Sequence, residues 1–245
     1  MLDRASALEI LRDGEIEIVG RIVGSSNNAL FVTVTLPCPD PAESPRVLEA
    51  IHKPTIGERP LDDFPDGTLT RREVAAYLVS EASGWDIVPP TVLRDGPFGD
   101  GMVQAFIEPD ESVDVIGWIN EDDPRLRRMA AFDAAVNNTD RKGGHILPVD
   151  GGGHVYGVDH GVCFSVTPKL RTVLWAWRGD PLLPDELAGL DRIREALDGD
   201  LGGDLRSLLS KAEVRATVRR VDELLARKTF PYPSPTWPAI PWPPI

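Results

Sequence analysis

A chain of 245 residues with 42% apolar and 27% charged side chains is long enough to bury a core and too hydrophobic to stay unfolded. Its 39 acidic against 26 basic residues give a formal charge of -13, which repels phosphate backbones and anionic bilayers and excludes nucleic acid and stable membrane anchoring as first expectations. Two cysteines, Cys38 and Cys163, supply neither a disulfide framework nor a CxxC motif; MLDRASALEILRDG has no signal-type apolar stretch, so a cytoplasmic protein is expected.

Strand-type alternation occurs twice within residues 15–36, as EIEIVGRIV and ALFVTVTL, around the polar turn Gly24, Ser25, Ser26, Asn27, Asn28. The N–H groups and hydroxyls of Ser25, Ser26 and Asn27 suit an anion, and a plain hairpin turn accounts for the same residues. After a proline-rich stretch, VLEAIHKP predicts a third strand ending at Lys53 and stopped by Pro54. Breakers fill TIGERPLDDFPDG. Thr70 then opens a helix, with Glu73 three residues on completing a capping box before VAAYLVSEA. Two more strands are predicted at 87–93 and 102–107, around the turn DGPFGDG.

From Asp123 the spacing turns helical in RLRRMAAFDAAVNN. HILPV and HVYGVDHG predict a short hairpin around the glycines at 151–153. Beyond Val173, LLPDELAGLDRIREAL, DLRSLLSKA and EVRATVRRVDELLARK each carry an amphipathic stripe. The proline-dense FPYPSPTWPAIPWPPI is expected to be extended and to pack across its own domain. The fold class expected is α+β and two-lobed: a strand-rich lobe over 1–108, a helical lobe over 109–228 and a Pro/Trp-rich tail over 229–245.

Phosphoryl transfer from ATP requires a cation on the phosphates, acidic ligands for a bridging metal and a residue that orients the acceptor. Lys53 stands at a strand end where its long side chain can reach phosphates, and Glu73 lies early in the next helix where it could hold that lysine. Asp140 follows a helix and precedes a hairpin. Asp159, in VDHG, ends the second arm, so the two aspartates can converge on a metal. Taken singly, each residue also has an ordinary reading as a solvated lysine, a helix cap or a surface salt bridge. His52, His154 and His160 are scattered beside strands without a cysteine near them, and no GxSxG elbow is present, which argues against a structural zinc site and a serine hydrolase.

The order of these blocks resembles the type II phosphatidylinositol 4-kinases. IHKPTIGERP is similar to their nucleotide-lysine segment, LTRREVAAYLVSEASGWDIVPPTV to the helix and strand that follow, and GMVQAFIE to the strand leading into the hinge. NNTDRKGGHILP resembles their catalytic loop, VYGVDHGVCF their metal-binding segment, and LWAWRGDPL a further family block. The resemblance runs from Ile51 to Leu182 and implies a kinase-like fold shared more distantly with HipA-type kinases and phosphatidylinositol 3-kinases. It implies that Lys53 holds ATP phosphates with Glu73 as partner, that Gln104, Phe106 and Ile107 lie against the nucleotide, that Asp140 orients the acceptor, and that Asp159 binds Mg2+ or Mn2+. The chain departs from the family where His145 replaces a metal-ligating asparagine. Imidazole favours Mn2+ or Zn2+ over Mg2+ more than an amide oxygen does, and packing of His145 beside a metal held by Asp159 alone is the other reading. The family's membrane attachment uses a cysteine-rich lipidated segment, which two cysteines do not provide, so the expected acceptor is a soluble small molecule or a protein. A catalytically silent ATP-binding regulator and a nucleotidyl transferase are the alternatives.

Overall fold

The computed structural model describes residues 3–22, 28–40 and 42–244. Ser25, Ser26 and Asn27 lie outside the described residues. The chain divides into two units: one takes it up to Val74 and adds Pro89–Ile107, and the other takes Ala75–Val88 and everything from Glu108.

The first unit is a five-stranded antiparallel sheet. It is built from β1 (Glu15–Arg21), β2 (Leu30–Leu36), β3 (Arg46–Pro54), β4 (Thr91–Gly96) and β5 (Gly99–Ala105) in the order β1-β2-β3-β5-β4. Helix α1 (Arg4–Asp13), which the sequence reading did not anticipate, is capped by Asp3 accepting from Ser6 N–H. It lays Ile10 and Leu11 on Val32, Val34, Ala50, Val92, Val103 and Ala105. Side chains alternate across a strand, so this packing fixes the opposite face. Ala50 and His52 look toward the core side, whereas Ile51 and Lys53, paired with Gln104 and Met102, occupy the other face.

The strand expected over 87–93 begins later. Pro89 and Pro90 lack the N–H a ladder needs, and pairing starts at Thr91. The strand expected over 102–107 is likewise displaced: it runs Gly99–Ala105 and closes the turn at Gly96 and Gly99. Gly101 is required by close approach, since a Cβ there would lie 2.5 Å from the Lys53 carbonyl.

Helix α2 (Leu69–Ser83) starts in the first unit and ends in the second. Its start differs from the expected capping box. Thr70 is already helical, its hydroxyl 3.0 Å from that of Thr55, and the carboxylate of Glu58 accepts from Leu69 N–H at 3.1 Å and Thr70 N–H at 2.8 Å. Glu73 is thereby released for another partner.

In the second unit, after the short α3 (Val115–Trp118), α4 (Pro124–Val136) is the buried axis, with every residue from Met129 to Val136 inside. Asp123 caps it, Pro124 occupies the first turn where no N–H is needed, and Asn137 ends it with φ 53°. The hairpin β6 (Ile146–Val149) and β7 (His154–Gly157) follows. Then come α5 (Pro184–Asp198), α6 (Asp200–Leu208) and α7 (Lys211–Arg227), whose capping box pairs Ser210 with Glu213. Arg127 joins α4 to α5 through Glu186 at 2.7 Å and lies over the rings of Trp177 and Phe230.

The proline-rich segment after α7 packs on its own unit. Leu182 N–H donates to Lys228 O, Gly179 N–H to Phe230 O, Thr172 N–H to Ala239 O and Gly143 N–H to Pro244 O. The described residues contain no helix long and apolar enough to cross a membrane.

Candidate functional site

The first group of predicted residues lies in the sheet unit. Lys53 reaches its position because β3 must place Ala50 and His52 in the core, which turns Lys53 to the other face. Its ammonium meets Glu73 Oε1 at 2.6 Å. Glu73 is 2% exposed and the lysine side chain 14%, so the pair is largely shielded from water. A short charge-assisted bond of this kind between strand and helix fixes a long, otherwise mobile side chain. Gln104 shares the Lys53 face, but its amide is buried and donates to Thr91 Oγ1 at 2.8 Å. Phe106 meets Phe31 edge to face at 5.0 Å, and its N–H donates to Glu49 O. Ile107 is half-buried at the end of the unit.

The second group lies in the helical unit. Asp140 follows α4, its own N–H donating to Asn138 Oδ1 at 3.0 Å, and its carboxylate pairs with Lys142 at 3.1 Å. Arg141, next to Asp140 in the sequence, forms no surface salt bridge with it but is fully buried and points elsewhere. Its guanidinium forks onto Asp133 with two bonds of 2.9 Å and also donates to the carbonyls of His145 and Val158. Burial opposes its charge, yet the Asp133 carboxylate more than compensates and raises its pKa. One cation thus ties the end of α4 to both arms of the hairpin that carries His145 and Asp159. Gly157 permits this, because a Cβ there would stand 3.1 Å from the guanidinium.

Asp159 follows β7 with φ 60°, a left-handed conformation that aspartate tolerates better than most residues and that often marks functional backbone. Its side chain is 45% exposed, and its Oδ2 lies 3.5 Å from His145 Nε2. Burial pushes the His145 pKa below its usual value, opposed by the charges of Asp159 and Asp140 and aided by those of Arg141 and Lys142. The imidazole is therefore neutral near neutral pH and has a lone pair to offer. Its Nδ1 is buried without a hydrogen-bond partner among the described residues. A divalent ion with bonds of about 2.1 Å at right angles spans donors about 3 Å apart, so the Asp159 and His145 pair fits such an ion. No third His, Cys, Asp or Glu converges with them among the described residues. Oxygen ligands from outside the chain would fill the other positions, as is usual for Mg2+.

Asp133 and Asn138 escaped the sequence reading. Both are fully buried, and Asn138 Nδ2 donates to Asp133 Oδ1 at 3.0 Å, so together they set the loop that presents Asp140. A lone carboxylate inside the apolar run MAAFDAAV was the available signal.

An antiparallel five-stranded unit carrying a buried lysine–glutamate pair, joined by sequence to a helical unit with an Asp-bearing loop and hairpin, defines a protein-kinase-like fold. A hydra Fam20 structure determined with sugar matches it with a TM-score of 0.54, at 13% identity, over 91% of this chain and 87% of that one. The Helicobacter pylori proinflammatory kinase CtkA aligns at 13% identity over 90% of this chain and 94% of its own, with a TM-score of 0.49. No established family profile matches the chain. By sequence it is 41% identical over 270 residues to Protein Rv2133c of Mycobacterium tuberculosis strain H37Rv, covering 96% of this chain and 94% of that protein. The chain belongs to the family of that mycobacterial protein.

Proposed function

We propose that the protein is an ATP-dependent phosphotransferase of the phosphatidylinositol-kinase-like kind, acting in the cytoplasm on a soluble small molecule or a protein. The observation that carries this reading is the Lys53–Glu73 pair, closed at 2.6 Å on the sheet face opposite α1. A buried carboxylate has little reason to be matched with a lysine at a strand end unless that lysine must be held for a ligand, and the ligand chemistry that suits a fixed ammonium is a polyphosphate. In this reading Lys53 binds ATP phosphates, Glu73 fixes Lys53, and Gln104, Phe106 and Ile107 belong to the segment beside the base.

Asp159, with His145, would hold Mg2+ or Mn2+, which when bound supplies positive charge against the phosphoryl oxygens. Asp140 orients the acceptor hydroxyl and takes its proton. The acceptor oxygen bonds to the γ-phosphorus, the bond from that phosphorus to the β,γ-bridging oxygen breaks, and ADP leaves with the electron pair. Asp140 is suited to this because Asn138 fixes its backbone while its side chain remains about one-third exposed, at 31%. The net charge of -13 favours a soluble acceptor over a nucleic acid or an anionic bilayer.

The test is incubation with γ-labelled and, separately, α-labelled ATP in Mg2+ or Mn2+, alongside calorimetric titration of ATP. Transfer of γ-label, abolished in Asp140→Asn, is expected, with ATP binding lost in Asp159→Ala. Transfer of α-label would instead establish a nucleotidyl transferase, and metal-dependent ATP binding without transfer of either label a silent regulator.

A further inference from the structure

Beyond Asp159 the chain changes its charge pattern. Although it carries 39 acidic residues in 245, residues 160–179 contain no Asp or Glu, and neither do residues 224–245. The first of these runs supplies Lys169, Arg171 and Arg178. The fold lays the two runs against each other. The Lys169 ammonium stands 4.3 Å over the Trp237 ring, Thr172 N–H and Trp175 Nε1–H both donate to Ala239 O, and Arg171 approaches Ile240 O at 3.5 Å. Gly143 N–H then donates to Pro244 O at 2.8 Å, three residues after Asp140.

Between those anchors the segment presents an unusual side chain. Pro241 is buried, whereas Trp242 is 86% exposed. An indole held out to solvent contributes nothing to the core. Prolines on both sides and backbone anchors before and after it leave little conformational entropy to lose on meeting a ligand. The segments that hold residues 237–244 bring cations with them: Lys169 lies over Trp237, Arg171 reaches Ile240 O, and Lys142 precedes the Gly143 that bonds Pro244 O. The acids on neighbouring elements are Asp140, already paired with Lys142 at 3.1 Å, and Glu223 of α7, 4.0 Å from Arg227.

We infer that residues 237–244 form one wall of the acceptor site and that the acceptor is a soluble anionic small molecule, its charge met by Lys169 and Arg171 and its apolar or ring face by Trp242. This inference rests on the phosphotransferase reading. A molecule with a net charge of -13 repels anions over most of its surface, so two adjoining segments that carry cations and no acid of their own select where an anion is received. An anionic lipid headgroup offers the same chemistry, but attachment to a bilayer takes more cations than these segments provide or a lipid chain as well.

The experiment uses the full chain with γ-labelled ATP and divalent metal. One arm adds a small-molecule cell extract and the other adds vesicles of phosphatidylinositol and phosphatidylserine. The expected product is soluble, and the acceptor recovered from it by phosphatase still binds an anion-exchange resin. Trp242→Ala and the double variant Lys169→Ala/Arg171→Ala should each raise KM for that acceptor about tenfold, the scale of one lost aromatic or charge contact, with kcat and calorimetric ATP affinity nearly unchanged. Matching unfolding midpoints identify the effect as local. A neutral acceptor, label in the vesicles, or unchanged KM in both variants overturns the inference and leaves the phosphotransferase intact. Absence of any γ-label transfer overturns both.

Discussion

Arg141 is the residue on which the Asp140 loop most depends. Fully buried and forked onto Asp133, it also holds the carbonyls of His145 and Val158. Arg141→Ala leaves the Asp133 carboxylate buried without its cation, and the usual cost of such a change is about 3–5 kcal/mol. Denaturant unfolding should show this, and an unchanged midpoint would mean the fork is not a structural tie. His52 makes a pH-dependent contribution in the other unit. Its Nδ1 lies 3.0 Å from Met102 O, and its Nε2 is buried with no partner among the described residues. Burial lowers its pKa, the Met102 carbonyl pulls it partly back, and the charge of Arg94 lowers it further. The unfolded chain, with a histidine pKa of about 6.5, therefore takes up the proton first. Stability from His52 is complete above that value and is lost as the pH falls from there through the folded-state pKa. Unfolding of wild type and His52→Gln at pH 8 and pH 5.5 should show the wild-type advantage shrinking at the lower pH. An equal advantage at both would exclude the linkage.

Among the elements, the start of α2 is the most instructive. Glu58 accepts from two N–H groups of its first turn, so Glu58→Ala should cost about 1–2 kcal/mol, as lost caps do, and loosen the helix that carries Glu73. Thermal unfolding checks the first effect, and amide exchange at Leu69 and Thr70 the second. Exchange as slow as in wild type would assign the cap elsewhere. The sequence pointed to a capping box between Thr70 and Glu73 because that signature is purely local, whereas the real cap comes from eleven residues upstream. Much else was readable for local reasons: the β6–β7 hairpin from short apolar runs around glycines, and the lack of a helix in the described part of the proline-dense tail. Helix α1 was not, since its charged residues interrupt the apolar stripe of Ala7, Leu8, Ile10 and Leu11. The two prolines that delay β4 were visible in the sequence but were read as part of the strand. Lys53, Glu73, Asp140 and Asp159 stood out as candidates by order and setting, and His145 only through the family resemblance. The attachment of the tail beside Asp140 could not, because its partners are backbone carbonyls, which every residue has.

At the scale of the whole molecule, the closed Lys53–Glu73 pair bears on how the protein can be controlled. Where a ligand needs one of two arrangements, its apparent dissociation constant is the intrinsic one divided by the fraction of molecules already in that arrangement. An activator that worked about a hundredfold by assembling this pair would need a resting population with roughly 99% of molecules unassembled. The 2.6 Å contact, with Glu73 only 2% exposed, is the assembled arrangement. Stopped-flow mixing with ATP should then give a single phase whose rate rises linearly with nucleotide, and a rate that levels off at high nucleotide would reveal a prior isomerisation. For the proposed phosphotransferase, a pair already assembled leaves an activator nothing to gain by closing it, so control would fall on steps other than the joining of Lys53 to Glu73.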